Sequence, residues 1–411
     1  MAVLTENPAD TDPFRIMPLA HNWSSPYRYS VEFKTDIITS VNGREQRRAV
    51  RHKPRHFAEM SANMNGRSRV NMDLLMTGWH TKPVLVGLEQ FAVRTAGPMA
   101  PEQDNIVFLA PPGGQFWFQP GQTVVIVHAD DPAIRESRVV ASANPTSLGF
   151  VDSTESEFPM RSRIMPAYLA YLEPEQAISR LTNRVATAGQ RIVFMPESTP
   201  PLFPADPVYE GPYEIFQWKP NWGGAQDMTY SWPRSMIDYG YGRVKSESPI
   251  AFPTRIYKHD YVGRSHAETY AIMAFFQRHF GMQREFFMPT WEDDIPFTSL
   301  AGGGQSILVD GPAFGTIYED SSVFRRIMLR YPDGSVSYHQ VEYIQPLPDT
   351  NSSVVRVTEP LPVTELTPQT VLGISWLLVA RFAIDRMDVD FLTNSVSQFS
   401  LTMQTLENFE L

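Results

Sequence analysis

Tyr29-Ser30-Val31-Glu32-Phe33-Lys34-Thr35-Asp36-Ile37 alternates between side chains suited to a core and side chains suited to water. A period of two belongs to a strand with one buried face. Asn42-Gly43 follows, a pair in which both residues tolerate positive φ, as a tight hairpin turn requires. The chain is therefore expected to double back, with a return strand from Glu45 to about Ala58. Gly66-Arg67-Ser68 then opens a short helix, about Arg69 to Gly78, and Lys82 to Glu89 continues as a strand.

The same succession recurs further along. Asn22-Trp23, Gly43-Arg44, Gly66-Arg67-Ser68 and Leu181-Thr182-Asn183 reappear, in order, as Asn221-Trp222, Gly242-Arg243, Gly263-Arg264-Ser265 and Leu392-Thr393-Asn394. The offset is roughly 200 residues throughout, a tandem pair of large units and not a short-period solenoid. In the second copy Ser265-His266-Ala267-Glu268 has the pattern of a capping box, with Ser265 as N-cap and Glu268 reaching back. Ile272, Met273, Phe276 and Phe280 keep helical spacing, and Gly281 suits the left-handed residue after a helix. A strand from Arg284 to Trp291 is expected next. Gln122 to His128 and Val323 to Tyr331 are further strands, the latter closed by the turn Asp333-Gly334. Each copy is expected to end in a long strand running through its Leu-Thr-Asn anchor.

The fold class implied is mainly β: β-sandwich or β-barrel units with one short helix each, duplicated in tandem. The organisation read is an arm at 1–20, a first unit at 21–195, a Pro-rich linker at 196–220 and a second unit at 221–411, each unit large enough to hold its own core. The 411 residues include 35 prolines, 12% aromatics and no cysteine. Prolines spread along a chain favour short strands and turns over long helices. Without cysteine there is no disulfide, thiolate nucleophile or Cys-based metal site. Met1 to Pro18 has neither a basic nor an apolar run of the kind a signal peptide needs. Val371 to Ile384 is too short for a membrane span and contains Arg381, so a soluble protein made in a cytoplasm, without membrane insertion, is expected. The net charge of −10 argues against a dedicated nucleic-acid binder.

No catalytic, metal or cofactor site is expected. His52 and His56 are four apart, but Pro54 between them speaks against a helix. Glu292-Asp293-Asp294 reads as a solvated turn, its counterpart Glu89-Gln90 keeping one carboxylate. Ala301-Gly302-Gly303-Gly304-Gln305-Ser306 lacks the Gly-Lys-Ser/Thr of a phosphate loop, and Pro112-Gly113-Gly114 reads as a turn. Trp117, between Phe116 and Phe118, is a candidate for contact with a partner. The most charged run is Arg44, Arg47, Arg48, Arg51, Lys53 and Arg55. It pairs with carboxylates of a neighbouring subunit, forms a solvated strand face, or contacts nucleic acid. The first reading is preferred, which makes Arg44, Arg47, Arg48, Arg51 and Arg55 subunit-interface candidates.

Gly43-Arg44-Glu45-Gln46-Arg47-Arg48-Ala49-Val50-Arg51-His52-Lys53-Pro54-Arg55, preceded by Asn22-Trp23, resembles tail-tip proteins of long-tailed bacteriophages. So does the aromatic helix through Phe275-Phe276 and Gly281 to Phe287-Met288-Pro289-Thr290-Trp291. The first copy lacks the Pro-Thr-Trp segment and the second lacks the Glu-Gln-Arg run. The resemblance implies a structural virion protein: a distal tail ring or hub that joins the tail tube to the hub and fibres and lets DNA pass at ejection. Three chains of two units each would form a pseudo-hexameric ring, with six chains as the other possibility, and its partners would be further copies and other tail proteins. A receptor- or carbohydrate-binding module of the baseplate is the alternative.

Overall fold

The computed structural model describes residues 16–40, 43–109, 118–196, 207–319, 321–363, 365–367 and 369–406. Strands dominate it and pair antiparallel in large sheets. In the first half, β1 (Tyr27–Thr39) and β2 (Glu45–Asn65) form the long hairpin, followed by α1 (Gly66–Gly78) and β3 (Val84–Gly87). Next come β4 (Val93–Arg94), β5 (Asn105–Val107), β6 (Thr123–Val127), β7 (Arg135–Asn144), β8 (Ser147–Phe150) and β9 (Arg163–Leu172). The hairpin β10 (Ala177–Arg180) and β11 (Val185–Phe194) ends this half. A small hairpin, β12 (Tyr209–Glu210) and β13 (Tyr213–Glu214), leads to the second half.

That half opens with β14 (Asp227–Ser231), the hairpin β15 (Ser235–Ile237) and β16 (Lys245–Glu247), then β17 (Thr254–Gly263), α2 (His266–Arg278) and β18 (Phe286–Pro289). It continues through β19 (Phe297–Ala301), β20 (Ser306–Asp310), α3 (Pro312–Tyr318), β21 (Arg326–Arg330), β22 (Val336–Leu347) and β23 (Ser352–Val357). It closes with β24 (Gly373–Phe382), β25 (Arg386–Phe391) and β26 (Ser397–Thr405).

The pairings of one half recur in the other. β1 pairs with β2 as β14 pairs with β17, and one constant shift in residue number carries Arg28↔Glu59 onto Asp227↔Lys258 and Tyr29↔Ala58 onto Met228↔Tyr257. β2 pairs with β11 as β17 pairs with β26. β3 pairs with β9 as β18 pairs with β24. A parallel bridge Ile16↔Leu85 has its match in Ile215↔Phe287. In each half a small barrel is inserted between those last two strands. β9–β6–β7–β8–β5 closes through β4. β24–β21–β22–β23–β20–β19 closes where Ile295 N–H donates to the Ile374 carbonyl. Each barrel has its own apolar filling.

The halves are not separate bodies with separate main cores. β1 pairs with β25, Tyr27↔Phe391 through Glu32↔Arg386. One sheet therefore runs β10–β11–β2–β1–β25–β26–β17–β14. The largest core cluster lies on one side of this sheet and draws on both halves, from Tyr29 and Met60 to Phe275 and Phe399.

Several local expectations shift. The return strand continues past Ala58 to Asn65, because β11 supplies a partner as far as Val185↔Asn65. The first helix begins at Gly66, three residues earlier than read. Gly66 is thus the first residue of a helix while Gly263 is the last residue of a strand, so these two anchors are not in equivalent positions. The Leu-Thr-Asn anchors form the tight turns of the terminal hairpins and are not inside strands. Thr182 Oγ1 accepts from Arg184 and Val185 N–H, and Thr393 Oγ1 accepts from Ser395 and Val396 N–H. The second half has an additional helix, α3, so one helix per unit does not hold there. Of the segment read as an arm, Met17 is buried in the main core; of the Pro-rich link, Ile215 and Phe216 are buried. Ser265 caps α2 as expected, accepting from Glu268 N–H, while Glu268 accepts from Arg264 N–H. Gly281 takes φ +62 beside Asp385 and Phe33, where a Cβ would collide with the Asp385 carboxylate.

Candidate assembly surface

The seam between the halves is built from the long first hairpin lying on the second half. Arg381, buried on the central strand β24, makes a bidentate pair with Glu45 on β2, at 2.7 and 2.8 Å. Arg47 binds Glu285 and donates to the Gln283 carbonyl at 3.0 Å. Thr35 N–H and Oγ1 donate to Asp385. Arg51 reaches Glu32 on the neighbouring strand at 3.3 Å. Two of the five candidate interface arginines, Arg47 and Arg51, therefore meet carboxylates of their own chain, Arg47 across the seam. Arg48 and Arg55 on the same strand, and Arg44 just before it, are exposed. Alternation separates Arg47 and Arg51 from Arg48, and the register shifts of β2 against Glu32 to Thr35 put Arg55 out of step with them.

Further along the seam the first half covers α2. Phe33 packs edge-on against Phe280 and at a tilt on Phe276. Phe91 stacks on Tyr270 at 4.9 Å between ring centres. The Gln90 carbonyl lies 2.6 Å from His266 Nε2, and Gln90 Nε2 donates to Tyr270. The neighbouring Glu89 is buried. Desolvation pushes its carboxyl upward against the opposing pull of Arg163, which donates at 2.9 Å, and of His21 N–H. Glu89-Gln90 is thus part of the seam. His279 at the end of α2 has its pKa lowered to about 4 by burial.

The side of the central sheet away from the helices is polar, and several of its charges are paired. Arg28 makes a bidentate bond to Asp390 across the β1–β25 junction, at 2.7 and 3.0 Å. Arg386 pairs with Asp388 at 2.7 Å, Arg191 with Glu59 at 3.6 Å, and Asp260 accepts from Ser400.

The two ends of this sheet, β10 and β14, are exposed over their whole length. Met228 and Tyr230 on the helix side of β14, and Trp232 just past its end, are 37%, 47% and 53% exposed. The shift that carries β1 onto β14 brings Tyr29, Val31 and Phe33 onto these three residues, yet the first set is buried. This stripe was missed in the sequence. Its signal is the alternation Met228-Thr229-Tyr230-Ser231-Trp232, readable once Asn22 is set over Asn221. The two asparagines do occupy matching turns: each N–H donates to β2 or β17, at the Ser61 and Asp260 carbonyls, and each side-chain oxygen accepts two residues on, from Ser24 and Gly223 N–H.

The remaining sequence candidates are structural or solvated. His56 is buried and its Nδ1 is 2.7 Å from the Tyr29 hydroxyl, with its pKa lowered to about 4 by desolvation; His52 is exposed. Asp294 accepts from Thr290 Oγ1 and Trp376 N–H, and Asp293 binds Arg330, so the acidic triplet fixes the turn after β18. Trp291 in that turn takes φ +60. Trp23, also at positive φ, packs against the main core, and Trp222 is exposed. Gly302–Gly304 form a single helical turn that leads into a strand. Phe118 is buried in the first barrel; Phe116, Trp117 and Pro112-Gly113-Gly114 lie outside the described residues. Among the described residues no group of three or more His, Asp or Glu is placed to hold a metal ion, and no helix is long and apolar enough to cross a membrane. No protein-family model matches the chain, and no curated protein matches it.

Proposed function

We propose that this is a structural virion protein of a bacteriophage tail tip, built of two copies of one unit, three chains of which form a pseudo-hexameric ring between the tail tube and the hub and fibres. One observation carries this reading. The two halves have the same strand pairings and are joined head to tail, the first strand of one unit lying on the terminal hairpin of the other. A head-to-tail contact uses different surfaces on its two sides, so it repeats and closes into a ring if the rotation permits. The likeness of Gly43–Arg55 and Phe287–Trp291 to tail-tip proteins supplies the biological setting.

The test is electron cryo-microscopy of the assembled tail end. Three copies with their halves alternating around one ring are expected; one copy, or none in the tail, would sink the proposal. A receptor- or carbohydrate-binding role is favoured by one feature, the exposed Tyr239 and Tyr241 at the tip of the β15–β16 hairpin, since aromatic faces are platforms for sugars. Retention of the purified chain on host cell-wall glycan, lost in the Y239A/Y241A variant, would favour that role over the ring.

A further inference from the structure

β1 and β14 are counterparts in the two halves, as the matched registers of their hairpins show. β25 and β10 are counterparts too: Ser179↔Thr187 and Arg180↔Ala186 are carried by one shift onto Asp390↔Gln398 and Phe391↔Ser397. Within the chain β1 is docked on β25. The remaining members of these two sets, β14 and β10, are, among the described residues, the two free ends of the same sheet. An unpaired strand edge presents a row of N–H and C=O groups ready to accept another strand.

We propose that β14 of one copy adds to β10 of a second copy of this chain, antiparallel, in the register of the internal β1–β25 contact. That register sets Tyr29 opposite Val389 and Arg28 opposite Asp390. Carried over, it sets Met228 opposite Ile178 and Asp227 opposite Ser179. Met228 and Ile178 both lie on the helix side of the sheet, opposite Tyr257 and Ala188 on their own neighbours, and Ile178 is 36% exposed. Two exposed apolar side chains thus meet face to face, as Tyr29 and Val389 do in the interior.

A second, independent observation agrees. α1 and α2 have equivalent N-caps, Asn65 and Ser265. Val70 and Leu74 stand where α2 has Tyr270 and Ala274. The α2 pair is buried, while Val70 and Leu74 are each 48% exposed. α2 owes part of its cover to the first half, through Phe33, Gln90 and Phe91. The docked copy brings Trp232 to α1 as Phe33 is brought to α2, and its second half lies over Val70 and Leu74. Both observations name the same occupant: the second half of another copy.

The inference rests on the two-unit reading above, and its test separates the contact from the ring. The chain has no cysteine, so the full-length single variants I178C and M228C carry one thiol each. Directly opposed residues of an antiparallel pair are close enough for a disulfide. Mixed at high concentration and oxidised, the two variants are expected to give a covalent two-chain species on a non-reducing gel. Neither alone should give it, and D227C, whose side chain points to the other face, should give far less with I178C. W232S in the M228C chain should lower the yield several-fold. No mixed dimer, or an equal yield from D227C, overturns the edge pairing. In the double variant I178C/M228C the covalent product stops at the number of copies in the ring. A stop at three supports the contact and the ring together, and an endless ladder keeps the contact while overturning the three-copy ring. Three copies in the particle without the mixed dimer overturn the contact alone.

Discussion

α1 and α2 are equally long and each follows a strand of the central sheet, yet α2 buries residues on nearly every side and α1 buries only Met72 and Leu75. The difference is in what lies over them. α2 sits beneath the first hairpin of its own chain, whereas among the described residues nothing of its own chain covers the outer side of α1 at Val70 and Leu74. A helix in such a place takes its composition from its neighbours: Phe275 and Phe276 where the cover is permanent, Arg69, Asn71 and Asp73 where water reaches part of the surface.

That comparison can be broken most directly by truncation. F275A removes a fully buried ring contacting Phe216, Phe286 and Phe382 and is expected to cost about 3–5 kcal/mol in urea unfolding. L74A in α1 should cost about 1 kcal/mol or less in the isolated chain. Equal losses would remove the distinction between the two helices. The seam is tested by R381A, which leaves Glu45 buried without its bidentate partner and should cost about 3–5 kcal/mol; E45Q/R381M should recover part of that loss.

Acid sharpens the contrast. His259 and His279, on either side of α2, and His56 on β2 all have pKa values lowered by burial to about 4, below the ordinary 6.5. The folded protein keeps them neutral, so the unfolded chain takes up protons first as pH falls. Their stabilising contribution is complete above pH 6.5 and is lost progressively down to about 4, on the order of 3 kcal/mol for each at full effect. Thermal melts should fall steeply over that window, and H279F should flatten the dependence. Smaller again is the cap: S265A removes the acceptor for Glu268 N–H and should cost about 1 kcal/mol. Smallest is L74D, expected to change the stability of the isolated chain by about 0.5 kcal/mol while abolishing its self-association in sedimentation.

The sequence carried the elements whose cause is local. Alternation from Tyr29 to Ile37, the turn residue Gly43 at φ +81, the Ser265 cap and the left-handed Gly281 are all visible in neighbouring side chains. What it hid depends on distant partners. β2 runs to Asn65 because β11 meets it there, more than a hundred residues on. Arg47 faces Glu285 and not a neighbouring subunit because the hairpin bends over the second half. Of the four anchors read as a repeat, one, Gly66 against Gly263, matched in letters and not in position. The exposed stripe on β14 escaped notice because exposure of Trp232 depends on whether something covers it, and no local pattern records that.

The β1–β25 junction has a consequence for how the protein is made. Tyr27 to Glu32 leave the ribosome more than 350 residues before their partners Arg386 to Phe391. Until residues 266–278 are made the apolar side of β1 has no α2 to lie on, and until β25 is made its edge has no strand beside it. Contacts this far apart in the chain form late and slowly, and an open edge in the meantime invites the wrong neighbour. The same wait has a use: the two halves come together only once β25 has been produced, so a chain cut short before it lacks the strand that joins β1 to the second half.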